Sequence, residues 1–188
     1  LIVVDLHASQ IEGFFGNIPV EHISGDEILL NTIYDFTERD EKITICSPDG
    51  GGVKRAEKFF KGLLNDFDDI NMATIAKIRD KANSVDKMYL SGDVNGRHVI
   101  IADDMIDTAG TMAKASTLLK QNGATSVSII VTHPVLSGNA YDNLCDSEIK
   151  TIVTTDSLPI NLDGVMELKQ NGKNFIQVEL APTLAKYI

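Results

Sequence analysis

Val99-Ile100-Ile101-Ala102-Asp103-Asp104-Met105-Ile106-Asp107-Thr108-Ala109-Gly110-Thr111 is the stretch that decides how this chain is read. An apolar run ends in two adjacent carboxylates. A short loop with one glycine and two threonines follows, and helical periodicity then begins at Thr111. An uninterrupted apolar run is the pattern of a strand covered on both faces, as in a parallel sheet. Such a strand delivers its carboxyl end to the edge where open α/β sheets take their ligands. A helix start offers free N–H groups and the positive end of a dipole, which suits a phosphate. Ala109 and Gly110 are small enough for the backbone to approach an anion, and Thr108 and Thr111 add hydroxyl donors. Asp103, Asp104 and Asp107 place three acids within five residues. They are tolerable if solvated, bonded to sugar hydroxyls or near a cation. Asp103 and Asp104 can accept hydrogen bonds from the 2- and 3-hydroxyls of a ribose. The bland alternative is an ordinary strand–loop–helix junction with Asp and Thr as caps.

Working outward, strand-like runs alternate with helix-like ones. Strands are expected at Ile2–Leu6, Lys42–Cys46, Met72–Ala76, Met88–Leu90, His98–Ala102, Ser126–Val131, Ile149–Val153 and Phe175–Val178. Helices are expected at Asp26–Glu38, Val53–Leu64, Thr111–Gln121, Ala140–Cys145 and Pro182–Tyr187. The alternation predicts an α/β domain with a mostly parallel sheet flanked by helices. Asn95-Gly96 between two strand-like runs predicts one antiparallel hairpin, hence a mixed sheet. Gly123 suits the stop position of the helix before it. Leu162–Asn174 is polar and turn-rich and defines no element.

The chain has 188 residues, 43% hydrophobic and 23% charged, enough for one well-cored domain with a small appendage. Its 27 Asp and Glu against 17 Lys and Arg give a formal net charge of -10. That argues against a nucleic-acid-binding surface. An acidic protein that handles phosphates must gather its cations locally and use a divalent metal. No apolar stretch approaches the roughly 20 residues of a membrane span, and nothing resembles a cleavable secretory signal. A cytoplasmic protein is expected. Cys46 and Cys145 read as buried reduced thiols, the first in a strand-like run and the second in a helix-like one. The chain starts at Leu1 inside a run that reads as a buried parallel strand, so sequence upstream of it is expected.

Three further segments carry chemistry. His7, in Asp5-Leu6-His7, follows a strand and can be a metal ligand, a phosphate donor or a plain histidine at the core's edge. Ser47-Pro48-Asp49-Gly50-Gly51-Gly52-Val53 lies between a strand and a helix. A glycine run there can turn several N–H groups toward an anion. Asp49 can hold Mg²⁺, a hard cation that prefers oxygen ligands. Lys77, Arg79, Lys81 and Lys87 put four cations within eleven residues of an otherwise acidic chain, in what can also be a merely solvated loop.

Taken together, these strings resemble ribose-phosphate pyrophosphokinases. Asp103–Thr111 resembles the ribose 5-phosphate loop of type I phosphoribosyltransferase folds, and Asp107-Thr108-Ala109-Gly110-Thr111 matches the pyrophosphokinase branch. Asp5–Phe15 is similar to that family's Asp-Leu-His segment and its following Gln-x-x-Gly-Phe-Phe. Ser47–Gly52 is similar to its Ser-Pro-Asp-x-Gly-Gly loop, with a third glycine at Gly50 as the departure. Lys77-Ile78-Arg79 looks like its catalytic flexible loop. Thr132–Gly138 and Val153–Ser157 are weaker matches, and His133 is expected to shape a loop.

The resemblance runs from Leu1 to about Ile160, with a fainter echo at Leu180–Ile188. It implies a type I phosphoribosyltransferase-like fold. Residues 1–24 would be a remnant of a first domain, and 25–188 a second domain carrying the ribose 5-phosphate site. It also implies transfer of the β,γ-diphosphoryl group of ATP to the C1 hydroxyl of ribose 5-phosphate, with AMP released, Mg²⁺ as cofactor and a homo-oligomer as the working form. The roles implied are as follows. Asp103 and Asp104 orient the ribose, and Asp107, Thr108, Ala109, Gly110 and Thr111 hold the 5-phosphate. His7 and Asp49 place metal and polyphosphate, with Gly51 and Gly52 offering N–H groups. Lys77 and Arg79 neutralise transition-state charge. Two rivals stand beside this. A non-catalytic regulatory paralogue would have a disrupted flexible loop and phosphate loop. A phosphoribosyltransferase would share only Asp103–Thr111.

Overall fold

The structure, a computed structural model, describes residues 1–78 and 87–188. Its main body is a seven-stranded sheet in the order β5-β4-β3-β6-β7-β8-β9. The strands are β3 (Ile43–Ser47), β4 (Ile70–Ile78), β5 (Lys87–Ser91), β6 (His98–Ile106), β7 (Ser126–Pro134), β8 (Thr151–Thr155) and β9 (Asn174–Val178). All neighbours pair in parallel except β4 with β5. A smaller two-stranded parallel sheet joins β1 (Ile2–Val4) to β2 (Glu21–Ile23), with a 3-10 helix, Ser9–Phe15, between them.

The continuous apolar runs have a direct cause. Side chains alternate along a strand, so Val99 and Ile101 enter one core while Ile100 and Ala102 enter the other. One face is covered by α1 (Asp26–Ile33) and α2 (Val53–Leu63), through Leu29, Ile33, Ala56, Phe59 and Leu63. The other is covered by α3 (Gly110–Gln121), α4 (Ala140–Cys145) and α5 (Leu162–Gln170). A last short helix, α6 (Ala181–Leu184), follows β9. The expected α/β class, mostly parallel with one antiparallel pair, is what the chain adopts.

Several local expectations are corrected. The antiparallel pair is β4 with β5, in register from Thr74 opposite Ser91 to Ile78 opposite Lys87. It is not at Asn95-Gly96. Gly96 does turn the chain, with φ +69 and its N–H bonded to Gly123 O at 2.9 Å. The strands it connects, however, are the edge strand β5 and the central strand β6. β5 alternates between exposed and half-buried residues, whereas residues 98–102 are buried throughout, so only the second belongs inside the sheet. The first strand ends at Val4 rather than Leu6 and is half-exposed rather than buried; Asp5 breaks it with φ +41. Helix α1 stops at Ile33, because Asp35 and Phe36 tighten onto Thr32 O and Ile33 O. Leu162–Gln170 is a helix despite its polarity, capped by Asn161, whose side chain accepts from Asp163 N. Cys46 is buried and Cys145 half-buried, both free.

Most important for the site, β6 does not stop at the carboxylates. It runs on through Asp103 to Ile106, paired with β7 as far as Ile106 opposite Pro134. Asp103 and Asp104 are therefore held on a strand, not on a loop.

Candidate functional site

Two cavities open along the carboxyl ends of β3, β4 and β6. The smaller, about 200 Å³, is lined by Lys77, Asp107, Thr108, Ala109, Thr111 and Asp103 among others. The larger, about 710 Å³, lies under the amino-terminal segment and includes His7, His22, Asp49, Lys54, Arg55 and Asp104. Asp49, Asp103 and Met105 line both, so the two meet along a seam of carboxylates.

The small pocket is built at the start of α3. Ala109 is the N-cap, in the left-handed conformation (φ +60, ψ -3) with no side-chain cap bond. That conformation disfavours a residue with a Cβ by about 1–2 kcal/mol, and strain of this kind gathers at functional sites. Among the described residues nothing accepts a hydrogen bond from the N–H groups of Ala109, Gly110 or Thr111. A Cβ built at Gly110 would meet nothing closer than 3.9 Å. The fold itself therefore does not demand glycine there. Lys77, at the end of β4, reaches across and donates to Thr111 Oγ1 at 2.9 Å. Arg79, expected to act with it, lies outside the described residues.

The glycine loop is arranged differently. Asp49 Oδ1 accepts from Gly51 N at 2.8 Å and Gly52 N at 3.0 Å, and Ser47 Oγ donates to Asp49 O at 2.6 Å. The two N–H groups expected to face an anion are thus taken up by the loop's own aspartate.

On the large side, His7 Nδ1 sits 2.6 Å from Asp104 Oδ2. Hydrogen bonding to Asp104 and its charge raise the His7 pKa, with Asp103 and Asp49 adding to the effect. Burial pushes the Asp103 carboxyl up to about 7, with the neighbouring Asp104 charge reinforcing it and the Asp104 N–H bond opposing it. Among the described residues no group of three or more His, Cys, Asp or Glu side chains could hold a metal ion. His7 and Asp49 both line the large cavity. A metal there would take one or two protein ligands and complete its shell with substrate phosphates and water, as Mg²⁺ commonly does.

The residues missed in the sequence are those that hold the His7 segment down. Asp5 is buried and accepts from Thr132 Oγ1 at 2.5 Å, Gly25 N at 3.0 Å and the Arg55 guanidinium at 3.1 Å. Burial works against its ionisation, but Arg55, Thr132 and Gly25 outweigh it and lower the pKa. Arg55 also pairs with Asp26 at 2.7 Å. His133 bridges Ser157 Oγ to the carbonyls of Val4 and Asp5, in keeping with a shaping role. Contacts between residues up to 129 positions apart leave no spacing signal. Only the adjacency of Asp5 to Leu6-His7, and of Arg55 to the glycine loop, hinted at them.

Residues 67–178 match the phosphoribosyl synthetase-associated domain family. The chain is 42% identical over 188 residues to ribose-phosphate pyrophosphokinase 2 of Saccharomyces cerevisiae, covering all of this chain and 54% of that protein. It is 43% identical over 188 residues to the ribose-phosphate pyrophosphokinase of Neisseria meningitidis, again 54% of the relative. The structure of phosphoribosylpyrophosphate synthetase from Mycobacterium smegmatis superposes with a TM-score of 0.81 at 35% identity, covering 99% of this chain and 56% of that one. The chain thus spans about half the length of the relatives it matches.

Proposed function

The chain belongs to the phosphoribosyl synthetase-associated domain family, and on that premise we propose that its protein is a ribose-phosphate diphosphokinase. The observation that carries the reading is the meeting of two unequal cavities along Asp49, Asp103 and Met105. The small one suits a sugar phosphate and the large one a polyphosphate. In this reading ribose 5-phosphate lies with its phosphate on Thr108–Thr111 and its hydroxyls toward Asp103 and Asp104. ATP lies in the large cleft under His7. The C1 oxygen attacks the β-phosphorus, the bond from that phosphorus to the α,β-bridging oxygen breaks, and AMP leaves. The hydroxyl proton passes to solvent as the new P–O bond forms.

Phosphoryl transfer asks chiefly for positioning and charge neutralisation. Mg²⁺ near Asp49 and His7 would supply charge on the phosphates. Lys77, already at the pocket's rim, and Arg79 would balance charge in the transition state. Asp107 serves the loop as an acceptor from Ser137 Oγ. Residues 1–24, whose strands form a separate sheet, go with a neighbouring domain, and 25–188 form the domain that carries the sugar-phosphate site. No helix among the described residues is long and apolar enough to cross a membrane. The protein works as a cytoplasmic homo-oligomer in this reading.

The test is to incubate the full-length protein with ATP, ribose 5-phosphate and Mg²⁺ and to follow AMP. Stoichiometric AMP and phosphoribosyl pyrophosphate are expected. ADP in place of AMP, ribosylation of a free base, or no turnover with bound ligands would each overturn it. The last is the result for a regulatory paralogue.

A further inference from the structure

Resting on the reading just given, we infer that Asn143 is a positioning residue for the sugar-phosphate pocket, acting through the carbonyl of Thr108. Three successive residues of the strand and loop accept hydrogen bonds from one segment behind them. Ile106 O accepts from Leu136 N at 3.0 Å, Asp107 Oδ1 from Ser137 Oγ, and Thr108 O from Asn143 Nδ2 at 2.8 Å. The segment is itself fixed. Leu136, Ala140 and Leu144 are buried in the core that also takes in Ala109 and Met112.

The third bond matters most for ligand binding. A trans peptide is planar, with its C=O and N–H pointing opposite ways. Asn143 draws the Thr108 carbonyl back toward α4, so the N–H of Ala109 on the same peptide is turned the other way. That N–H has no acceptor among the described residues, and Ala109 lines the small cavity. Rotating this peptide over would set a carbonyl dipole where an anion needs a donor. The left-handed φ of Ala109 is the conformational consequence of holding the peptide this way round ahead of α3.

Asn143 can be changed with little effect on the fold. The buried residues of α4 are Ala140 and Leu144, not Asn143. The experiment measures steady-state kinetics and calorimetric binding of ribose 5-phosphate for the full-length protein and for Asn143→Ala and Asn143→Asp. Both variants lose the donor, and the second keeps the side chain's shape. We expect KM and Kd for ribose 5-phosphate to rise roughly five- to tenfold, the loss of one hydrogen bond of this kind. KM for ATP, kcat and Tm should stay close to the parent's. A purely structural role would instead lower Tm and move both KM values together. Ribose 5-phosphate affinity equal to the parent's in Asn143→Asp overturns the inference while leaving the proposed activity intact. A parent protein that binds no ribose 5-phosphate removes the activity and the inference with it.

Discussion

The two loops at the carboxyl edge of the sheet solve the same problem in opposite ways. Ser47–Gly52 closes on itself: the N–H groups of Gly51 and Gly52 are satisfied by Asp49 from within the loop. Ile106–Thr111 is held from behind by a different segment, and among the described residues nothing accepts from the N–H groups of Ala109, Gly110 and Thr111 in front. In the proposed reading, a ligand reaches the Gly51 and Gly52 N–H groups by displacing Asp49. The second is set before the ligand arrives and carries backbone strain at Ala109. Preorganised donors need no rearrangement when charge arrives, whereas a self-capped loop couples binding to a local change. In the proposed reading, the sugar-phosphate side should accordingly tolerate damage on the polyphosphate side.

The most severe test of that independence is Arg55→Ala. Arg55 is mostly buried between Asp5 and Asp26, and its loss leaves buried Asp5 with the neutral donors Thr132 and Gly25 and Asp26 with the exposed Lys58 as its ion-pair partner. Removing one partner of a buried pair typically destabilises by about 3–5 kcal/mol. Denaturant unfolding should show a loss of that size. In the fraction that stays folded, ribose 5-phosphate affinity should remain within twofold while turnover collapses, because the His7 segment is no longer tied down. Equal damage to both would show that the two cavities are one cooperative unit.

Next in size is Lys77→Ala, which attacks the other side. Deleting one well-placed donor to transition-state charge costs on the order of 10²–10³ in kcat. The bond to Thr111 Oγ1 is exposed and adds little to stability. Single-turnover rates and equilibrium binding separate the two contributions. A fall in affinity as large as the fall in rate would make Lys77 a ground-state phosphate ligand instead.

How much of this could be read in the sequence follows the same division. The open loop was legible because its chemistry is local: three acids, small residues, hydroxyls and a helix start lie within thirteen residues of chain. The fold class was legible because strands buried on both faces leave no alternation. The hairpin was misplaced because a turn dipeptide reports a backbone angle and says nothing about which strand lies beside which. The self-capping of Asp49 was missed because a glycine run shows that N–H groups are available without showing what they bind. The Asp5–Arg55–Asp26–Thr132 knot was invisible because each partner comes from a different element, and only the finished topology brings them together.

At the seam, Asp103 offers a pH test of intermediate size. Its folded pKa is raised from 3.8 to about 7. The folded state therefore keeps a proton that the unfolded chain has released, and stability falls as pH rises from about 4 to about 7. Asp103→Asn should flatten that slope and be more stable than the parent at pH 8, by urea unfolding at pH 5 and pH 8. Parallel curves for the two proteins would mean that the carboxyl is ionised in the fold and already matched by a cation.

The smallest effect expected on stability, and the most discriminating, is that of Ala109→Gly. Three contributions act at once. Relief of the left-handed backbone favours the variant by about 1–2 kcal/mol. Loss of a methyl group buried in the core opposes it by about 0.8 kcal/mol, and the freer unfolded chain by a further 0.4–1 kcal/mol or so. They nearly cancel, so Tm should move by no more than a few degrees in either direction. Binding has no such compensation. A glycine lets the peptide ahead of α3 turn over, and the open loop loses the preorganisation that distinguishes it from the glycine loop. KM for ribose 5-phosphate should therefore rise a few-fold with Tm nearly constant. A variant that gained stability outright and bound the sugar phosphate as tightly as before would show that φ +60 at Ala109 is strain without a use.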